Sequence, residues 1–222
     1  MLLCIADVLT PEEVENIVTK MAAAPFVDGK TTAGWHARLV KHNAQLANNT
    51  AVAPELRQIV LNALQRNALF QMAVRPRVIR PPLFSCYEAG MSYGTHVDNA
   101  VMSNPLMRSD VSMTLFLTSS ETYEGGELVL ETTQGEESLK LEAGSMVVYP
   151  SDTLHRVEPV THGVRLVSVT WIQSLVRDAQ KREVLFDLDT VRQNIFEKYG
   201  KTLEFDLLSK SHANLLRQWV DL

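Results

Sequence analysis

Apolar positions recur at helical spacing near the N terminus. Residues 14–21 place valine, isoleucine and methionine side chains three or four positions apart, which predicts a helix with one apolar face. Thr10 is a good N-cap, Pro11 suits the first helical position and Glu13 completes a capping box. A short strand is expected just before it, and residues 53–73 predict a second amphipathic helix.

The pattern changes at Val74. Short stretches rich in valine, leucine, phenylalanine and threonine follow one another as far as Ser174, separated by Gly, Pro, Asn, Asp and Ser. Short strands at this spacing predict a β-sandwich or barrel. Proline between them restricts those positions to strand ends or edges.

Helical spacing returns after Ser174. We expect the DLDT segment, residues 187–190, to divide this region into two helices, and residues 209–222 to form a last short helix. The chain is therefore predicted to be mainly β with flanking helices. Its expected parts are an N-terminal strand and helices (1–73), a β core (74–174) and a C-terminal helical extension (175–222).

Composition limits the classes of function. The chain has 222 residues, 45% of them hydrophobic and 21% charged, as in ordinary globular proteins. The net charge of −5 argues against a nucleic-acid partner. Neither a membrane span nor a signal peptide is expected. Cys4 and Cys86 are predicted to be free thiols, which fits a cytoplasmic protein.

A set of metal ligands is distributed over two segments. His96 and Asp98 stand two residues apart, so in a strand end they point to one face. His155 lies 57 residues after Asp98 and follows the predicted strand "SMVVYP". Two histidines and one carboxylate are the ligand set of non-haem Fe(II) oxygenases, which leave the remaining metal positions open. The sequence therefore predicts that these three residues bind iron.

An arginine follows the third ligand. Arg165 lies ten residues beyond His155, on an apolar strand where a charge is costly unless it is paired. Its guanidinium could bind a carboxylate with two hydrogen bonds. The alternative is an edge-strand arginine that faces solvent.

The pattern His96-x-Asp98, then His155, then Arg165 resembles one enzyme family. Two further segments share the resemblance: "YEAGMSYGTHVDN", which leads into the first ligand, and "YEGGELVL", which lies between Asp98 and His155. The chain is similar over nearly its full length to the bacterial PKHD-type hydroxylases, in the prolyl 4-hydroxylase-like branch of the Fe(II)/2-oxoglutarate dioxygenases.

The resemblance implies a double-stranded β-helix (jelly roll) core and several functional roles. His96, Asp98 and His155 would bind Fe(II), and Arg165 would bind the distal carboxylate of 2-oxoglutarate. Tyr87 would line the co-substrate pocket. L-ascorbate would restore over-oxidised iron.

The implied reaction is hydroxylation of a substrate with release of succinate and CO₂. A peptidyl or amino-acid-like substrate, and a link to iron uptake, follow from the resemblance alone. A non-catalytic sensor of iron or 2-oxoglutarate would keep the same ligands, and a cupin-like isomerase or hydrolase is a third alternative. The loop after Asp98 could be a substrate-covering lid or an ordinary exposed loop. The apolar content of residues 175–222 predicts either packing on the core or a homodimer interface.

Overall fold

The computed structural model describes residues 1–221 and contains five α-helices and seventeen strands over that range. The helices are α1 (Pro11–Ala22), α2 (Ala53–Arg66), α3 (Ala68–Val74), α4 (Ala179–Tyr199) and α5 (Leu203–Trp219). The strands are β1 (Leu3–Ile5), β2 (Phe26–Asp28), β3 (Lys41–His42), β4 (Ala44–Leu46), β5 (Pro76–Ile79), β6 (Leu83–Tyr87), β7 (Ser92–His96), β8 (Val101–Met102), β9 (Met107–Arg108), β10 (Val111–Phe116), β11 (Glu124–Gly125), β12 (Leu128–Thr132), β13 (Gly135–Leu139), β14 (Met146–Pro150), β15 (His155–Val157), β16 (Val160–His162) and β17 (Arg165–Ser174).

Two antiparallel sheets form the centre of the molecule. The larger sheet has the order β1-β14-β10-β17-β6-β4-β2, and β5 pairs with the far end of β17. The smaller sheet has the order β13-β12-β15-β7-β3. The prediction of a mainly β chain with flanking helices is confirmed, and the fold is that of a double-stranded β-helix.

The N-terminal segment, residues 1–73, contributes strands to both sheets. Strands β1, β2 and β4 extend the larger sheet, while β3 pairs with β7 at the edge of the smaller one. The apolar pattern predicts only β1 among these four strands, each of which is two or three residues long. The three-part division at residues 73 and 174 remains a prediction, and hydrogen-bonded strand pairs cross the first of these boundaries.

The helices α1 to α3 cover one face of the larger sheet. Buried side chains from these helices pack against β10 and β14 in one cluster, which includes Ile17, Leu56, Leu64, Phe70, Met113, Leu115, Met146 and Val148. Strand β10 is buried on both faces. Because successive side chains of a strand point to opposite faces, Ser112 and Thr114 share the face that lines the cavity between the sheets. This arrangement leaves a polar wall on the inner face of a strand whose outer face is apolar.

Two helix predictions are corrected. The segment 53–73 is not one helix, because Asn67 has an extended backbone and its side chain accepts a hydrogen bond from the Phe70 amide (2.8 Å), which begins α3. The DLDT segment does not break α4. Thr190 donates its hydroxyl proton to the Phe186 carbonyl (2.9 Å), and Asp189 accepts from Arg192 (2.9 Å). Both polar side chains are thus satisfied without ending the helix.

The C-terminal helices attach to the core through a buried polar cluster. Arg75 lies 3.6 Å from Asp189 of α4, and its guanidinium donates to His212 Nε2 of α5 at 3.0 Å. Helix α5 begins at Leu203, so it is longer than the short final helix predicted from residue 209. Within residues 1–221, no helix combines the length and apolar character that crossing a bilayer requires.

The apolar layer between α2 and the larger sheet predicts a large effect of Leu64→Ala on stability. Leu64 has no exposed surface, so the truncation should leave a cavity and lower the free energy of unfolding by about 2–5 kcal/mol. Chemical denaturation measures the change. Leu106→Ala, a matched truncation at a leucine that is 83% exposed, should change stability by less than about 0.5 kcal/mol. Equal effects of the two substitutions would contradict the assignment of this layer as the core.

Candidate metal centre

Two neighbouring strands of the smaller sheet bring three metal-binding side chains together. His96 ends β7 and His155 begins β15, and the two residues are direct partners in the antiparallel register. Asp98 follows two residues after His96. One potential ligand atom from each of these residues lies within 4.8 Å of the others. This distance lets a single ion contact all three residues.

Main-chain carbonyls hold both imidazoles in the same tautomer. His96 Nδ1 donates to the Gly94 carbonyl at 2.8 Å, and His155 Nδ1 donates to the Thr153 carbonyl at 3.0 Å. Since a carbonyl oxygen can only accept, the proton of each neutral ring resides on Nδ1. Each Nε2 lone pair is therefore free to bind a metal ion.

The carboxylate of Asp98 is also fixed by a hydrogen bond. Its Oδ2 accepts from the Ser112 hydroxyl at 2.6 Å, and Ser112 in turn contacts the Ser151 hydroxyl at 2.8 Å. The same Oδ2 lies 3.8 Å from His155 Nε2. The larger sheet, through Ser112, thus orients a ligand that belongs to the loop after β7.

Burial keeps the first imidazole neutral. His96 is 6% exposed, and the ring of Tyr93 stacks on it with centroids 3.6 Å apart. Desolvation and the neighbouring His155 lower the pKa of His96 to about 4. The ring therefore offers a lone pair rather than a charge at neutral pH. Tyr93 packs on His96 and also lines the cavity beside it.

Arg165 is a buried cation without an acidic partner. It begins β17, is 1% exposed, and makes no ion pair with any acid among residues 1–221. Its guanidinium carbon lies 5.0 Å from the Tyr87 ring and 5.4 Å from the Phe116 ring. Its Nε proton has no hydrogen-bond acceptor among the described residues 1–221. Because an unpaired buried charge is costly, this site is suited to an anionic ligand.

Tyr87, which the resemblance implies as a lining residue of the co-substrate pocket, lies beside this arginine. It is the direct register partner of Arg165 across the β6–β17 pair. Burial raises the pKa of its hydroxyl, so the group is a neutral hydrogen-bond donor near the guanidinium. The arrangement combines two potential donors for one carboxylate.

Two adjacent glycines permit close packing next to the arginine. A side-chain carbon at Gly126 would lie 3.0 Å from Arg165 Cδ, so this glycine leaves room for the arginine. One at Gly125 would lie 2.1 Å from the Pro159 carbonyl oxygen, so this glycine permits the close approach of β11 to the chain before β16. Both have positive φ angles, and the register of β11 and β16 shifts between Glu124 and Gly125, as in a β-bulge.

One cavity of about 250 Å³ connects these groups. Its lining includes the predicted residues Tyr87, His96, Asp98, His155 and Arg165, all of which the structure therefore brings together. The loop after Asp98 lines it through Asn99 and through residues 101–103, on the β8 side of the β8–β9 hairpin.

Sequence reasoning missed a row of polar residues on the wall of this cavity. Lys41, Asn43 and Gln45 are all buried and all line it, whereas His42 between them is exposed. The period-two alternation of "KHNAQ" was the available signal. It was obscured because β3 and β4 are only two and three residues long.

Comparisons with known proteins agree with this geometry. The model of the 2OG-Fe(II) oxygenase superfamily matches residues 82–173, and that of the PKHD-type hydroxylase C-terminal domain matches residues 178–221. A PKHD-type hydroxylase of Rippkaea orientalis is 61% identical over 220 residues, covering 99% of each chain. One of Synechococcus sp. (strain JA-2-3B'a(2-13)) is 56% identical over 224 residues, covering 100% of each.

Solved structures share the fold at low sequence identity. A prolyl-4-hydroxylase of Pseudomonas putida superposes with a TM-score of 0.52 and 20% identity, covering 78% of this chain and 92% of its own. A prolyl hydroxylase of Trichoplax adhaerens gives a TM-score of 0.56 with 14% identity, covering 83% of this chain and 86% of its own.

Fold and family together define an Fe(II)- and 2-oxoglutarate-dependent oxygenase. More narrowly, the chain belongs to the PKHD-type hydroxylases, and it is an enzyme of that class. The donor set fits the metal, since two neutral imidazoles and one carboxylate suit Fe(II) and leave positions open. The unpaired buried Arg165 fits a dicarboxylate co-substrate.

The geometry predicts that removing one ligand abolishes tight metal binding. His155→Ala should weaken the binding of Co(II), a spectroscopic substitute for Fe(II), by at least about 100-fold. Calorimetric titration measures the affinity and visible absorption the coordination. His162→Ala, at an exposed histidine near the β16–β17 turn, should leave both unchanged. Equal affinities of the two variants would contradict the ligand assignment.

Proposed function

We propose that His96, Asp98 and His155 bind Fe(II) and that Arg165 binds the distal carboxylate of 2-oxoglutarate. The enzyme then hydroxylates a peptidyl or amino-acid-like substrate. One C–H bond of the substrate becomes C–OH, while 2-oxoglutarate and O₂ are converted to succinate and CO₂. The observation that carries this proposal is the single cavity shared by three convergent ligands and an unpaired, buried arginine.

The residues of the chain have distinct tasks in this reaction. When bound, Fe(II) supplies the redox chemistry with O₂ that oxidises a C–H bond. Arg165 orients the co-substrate with two parallel hydrogen bonds, and the Tyr87 hydroxyl donates to the same carboxylate. The carbonyls of Gly94 and Thr153 hold the imidazoles in their binding tautomer.

Several finer features of the proposal rest on the resemblance or on composition. L-ascorbate dependence and a role in iron uptake are supported by the family resemblance alone. A cytoplasmic location is supported by the free thiols of Cys4 and Cys86, and the absence of a nucleic-acid partner by the net charge of −5. The loop after Asp98 is proposed as a lid because its hairpin lines the cavity.

The role of Arg165 predicts a specific kinetic defect. With Fe(II), O₂ and increasing 2-oxoglutarate, the wild-type protein should form succinate, even without added substrate. Arg165→Met should raise the KM for 2-oxoglutarate by about 100-fold, because the carboxylate loses its charged partner in a buried site. Arg77→Met, at an exposed arginine, should leave the KM unchanged.

The result also separates the enzyme from the sensor alternative. Binding of 2-oxoglutarate without any succinate, in wild-type protein that retains its iron, would favour a sensor. A wild-type KM in Arg165→Met would contradict the co-substrate assignment. Family membership already argues against a cupin-like isomerase or hydrolase.

We also propose that the C-terminal helices form a homodimer interface. The α4–α5 pair leaves large apolar side chains at the surface, among them Val191 (50% exposed), Phe196 (51%), Leu203 (70%) and Leu207 (49%). Scattered apolar residues are normal on a surface, but a group on one helical pair is typical of an interaction site.

Sedimentation velocity tests this interface. At micromolar concentration the wild-type protein should sediment as a dimer, and Phe196→Asp should shift it to a monomer. Val164→Asp, a matched change at a valine that is 40% exposed outside these helices, should remain dimeric. A wild-type protein that is monomeric throughout would refute the dimer.

A further inference from the structure

The polar row of Lys41, Asn43 and Gln45 gives the cavity a second set of ligand-binding groups. The three side chains are 6%, 4% and 3% exposed, respectively. Strand β3 places Lys41 at the edge of the smaller sheet, where it pairs with Tyr93, and Asn43 follows this strand directly. Strand β4 then continues the row into the larger sheet beside β6. Neither the iron ligands nor Arg165 belongs to this row.

Lys41 is a buried cation with only a neutral hydrogen-bond partner. Its Nζ donates to Thr32 Oγ1 at 3.1 Å and lies 5.0 Å from the centroid of the Tyr93 ring. No carboxylate among residues 1–221 lies within ion-pairing distance. Burial lowers its pKa to about 8, so the ammonium group remains charged at neutral pH. A buried charge in this position requires a compensating anion.

A chain of hydrogen bonds fixes the direction of the ammonium group. Thr32 donates its own hydroxyl proton to Gln45 Oε1 at 2.6 Å, and Gln45 Nε2 donates to the Ser85 hydroxyl at 3.1 Å. Thr32 can therefore only accept from Lys41. One of the three ammonium protons is used in this way, and two remain for a ligand.

Both ends of the Asn43 amide are buried, and neither makes a hydrogen bond of good geometry among the described residues. The Tyr87 hydroxyl is a polar neighbour of this amide, which opposes the rise that burial causes in the pKa of that hydroxyl. Gly29 holds this residue closely, since its amide donates to the Asn43 carbonyl at 2.9 Å and a side-chain carbon at Gly29 would lie 1.9 Å from Asn43 Oδ1. Buried amides are nearly always hydrogen-bonded, so this one has hydrogen-bonding capacity to offer a ligand or an ordered water in the cavity.

The charge balance of the cavity indicates the nature of that ligand. Among its lining residues, Asp98 is the only acid, whereas Lys41, Arg80 and Arg165 are cations. Asp98 attracts Lys41 most strongly, and Asp28, which is not a lining residue, adds a smaller attraction. With Fe(II) and the 2-oxoglutarate dianion bound, the charges of the metal, the co-substrate, Asp98 and Arg165 sum to zero. Lys41 and Arg80 then remain as cations without a further acid among the lining residues.

We propose that the Lys41 ammonium and the Asn43 amide bind a carboxylate of the substrate that is hydroxylated. The substrate class is therefore an organic acid, such as an amino acid or peptide with a free carboxylate. This inference rests on the proposed function, because it assigns 2-oxoglutarate to Arg165. It makes Lys41 a specificity-determining residue rather than a catalytic one.

The test compares acids with their neutral amides in protein whose co-substrate site is filled. Zn(II) replaces Fe(II), and 2-oxoglutarate is kept saturating. The probes are N-acetylglycine, N-acetyl-L-leucine and N-acetyl-L-proline, each with its primary amide, and their affinities are measured by saturation-transfer NMR. In the wild-type protein, at least one acid should bind about tenfold or more tightly than its amide.

Three variants locate the preference. Lys41→Met should abolish the preference for the acid, Lys41→Arg should retain most of it, and Lys30→Met should not change it. Lys30 undergoes the same chemical change as Lys41, but it is exposed and does not line the cavity, so it serves as the matched control. Thermal melting verifies that each variant is folded. A wild-type protein that shows no preference for any acid, or a Lys41→Met variant that keeps it, would overturn the inference.

Calorimetric titration of 2-oxoglutarate separates this inference from the proposed function. Lys41→Met should bind 2-oxoglutarate as the wild-type protein does. If Lys41→Met weakens this binding as strongly as Arg165→Met, Lys41 belongs to the co-substrate site, and only the substrate inference fails. If the metal-loaded wild-type protein does not bind 2-oxoglutarate, the proposed function itself fails.

Discussion

The active site depends on one strand pairing, that of β7 with β15. Because His96 and His155 are direct partners in this antiparallel register, their side chains emerge next to each other from residues that are 59 positions apart in the chain. Each ring is then held by the carbonyl two residues before it. A shift of one residue in this register would send one imidazole to the opposite face of the sheet. The covering helices and the larger sheet stabilise the layer in which this register is fixed.

Buried positive charge is the second constraint on the cavity. Arg165 is almost fully buried and lacks an acidic partner among the described residues, and Lys41 has only a neutral hydrogen-bond partner. Burying an unpaired charge costs free energy, so the folded protein retains these cations at the expense of its own stability. Ligands that carry carboxylates offset this cost when they bind. These buried charges support both proposals, 2-oxoglutarate at Arg165 and a substrate carboxylate at Lys41.

The candidate iron ligands and Arg165, which the structure brings to one cavity, could be named from the sequence because their chemistry limits the residue types that can serve. A short motif such as His96-x-Asp98 can be recognised in the sequence even when the strand that carries it has few residues. Lys41 and Asn43 could not be recognised in this way, since lysine and asparagine are common surface residues and only the fold shows them to be buried. Local propensity also failed at Asn67 and Asp189. Asn67 begins a new helix, whereas Asp189 is satisfied by Arg75 and Arg192, which the sequence alone does not place nearby.

The central claim is that the three ligands and Arg165 hold Fe(II) and 2-oxoglutarate together. Anaerobic addition of Fe(II) and then 2-oxoglutarate tests it most directly, by visible absorption. A 2-oxo acid that chelates Fe(II) gives a weak charge-transfer band, which should appear in the wild-type protein and be absent from the His155→Ala variant. The absence of this band from folded, iron-loaded wild-type protein would contradict the account.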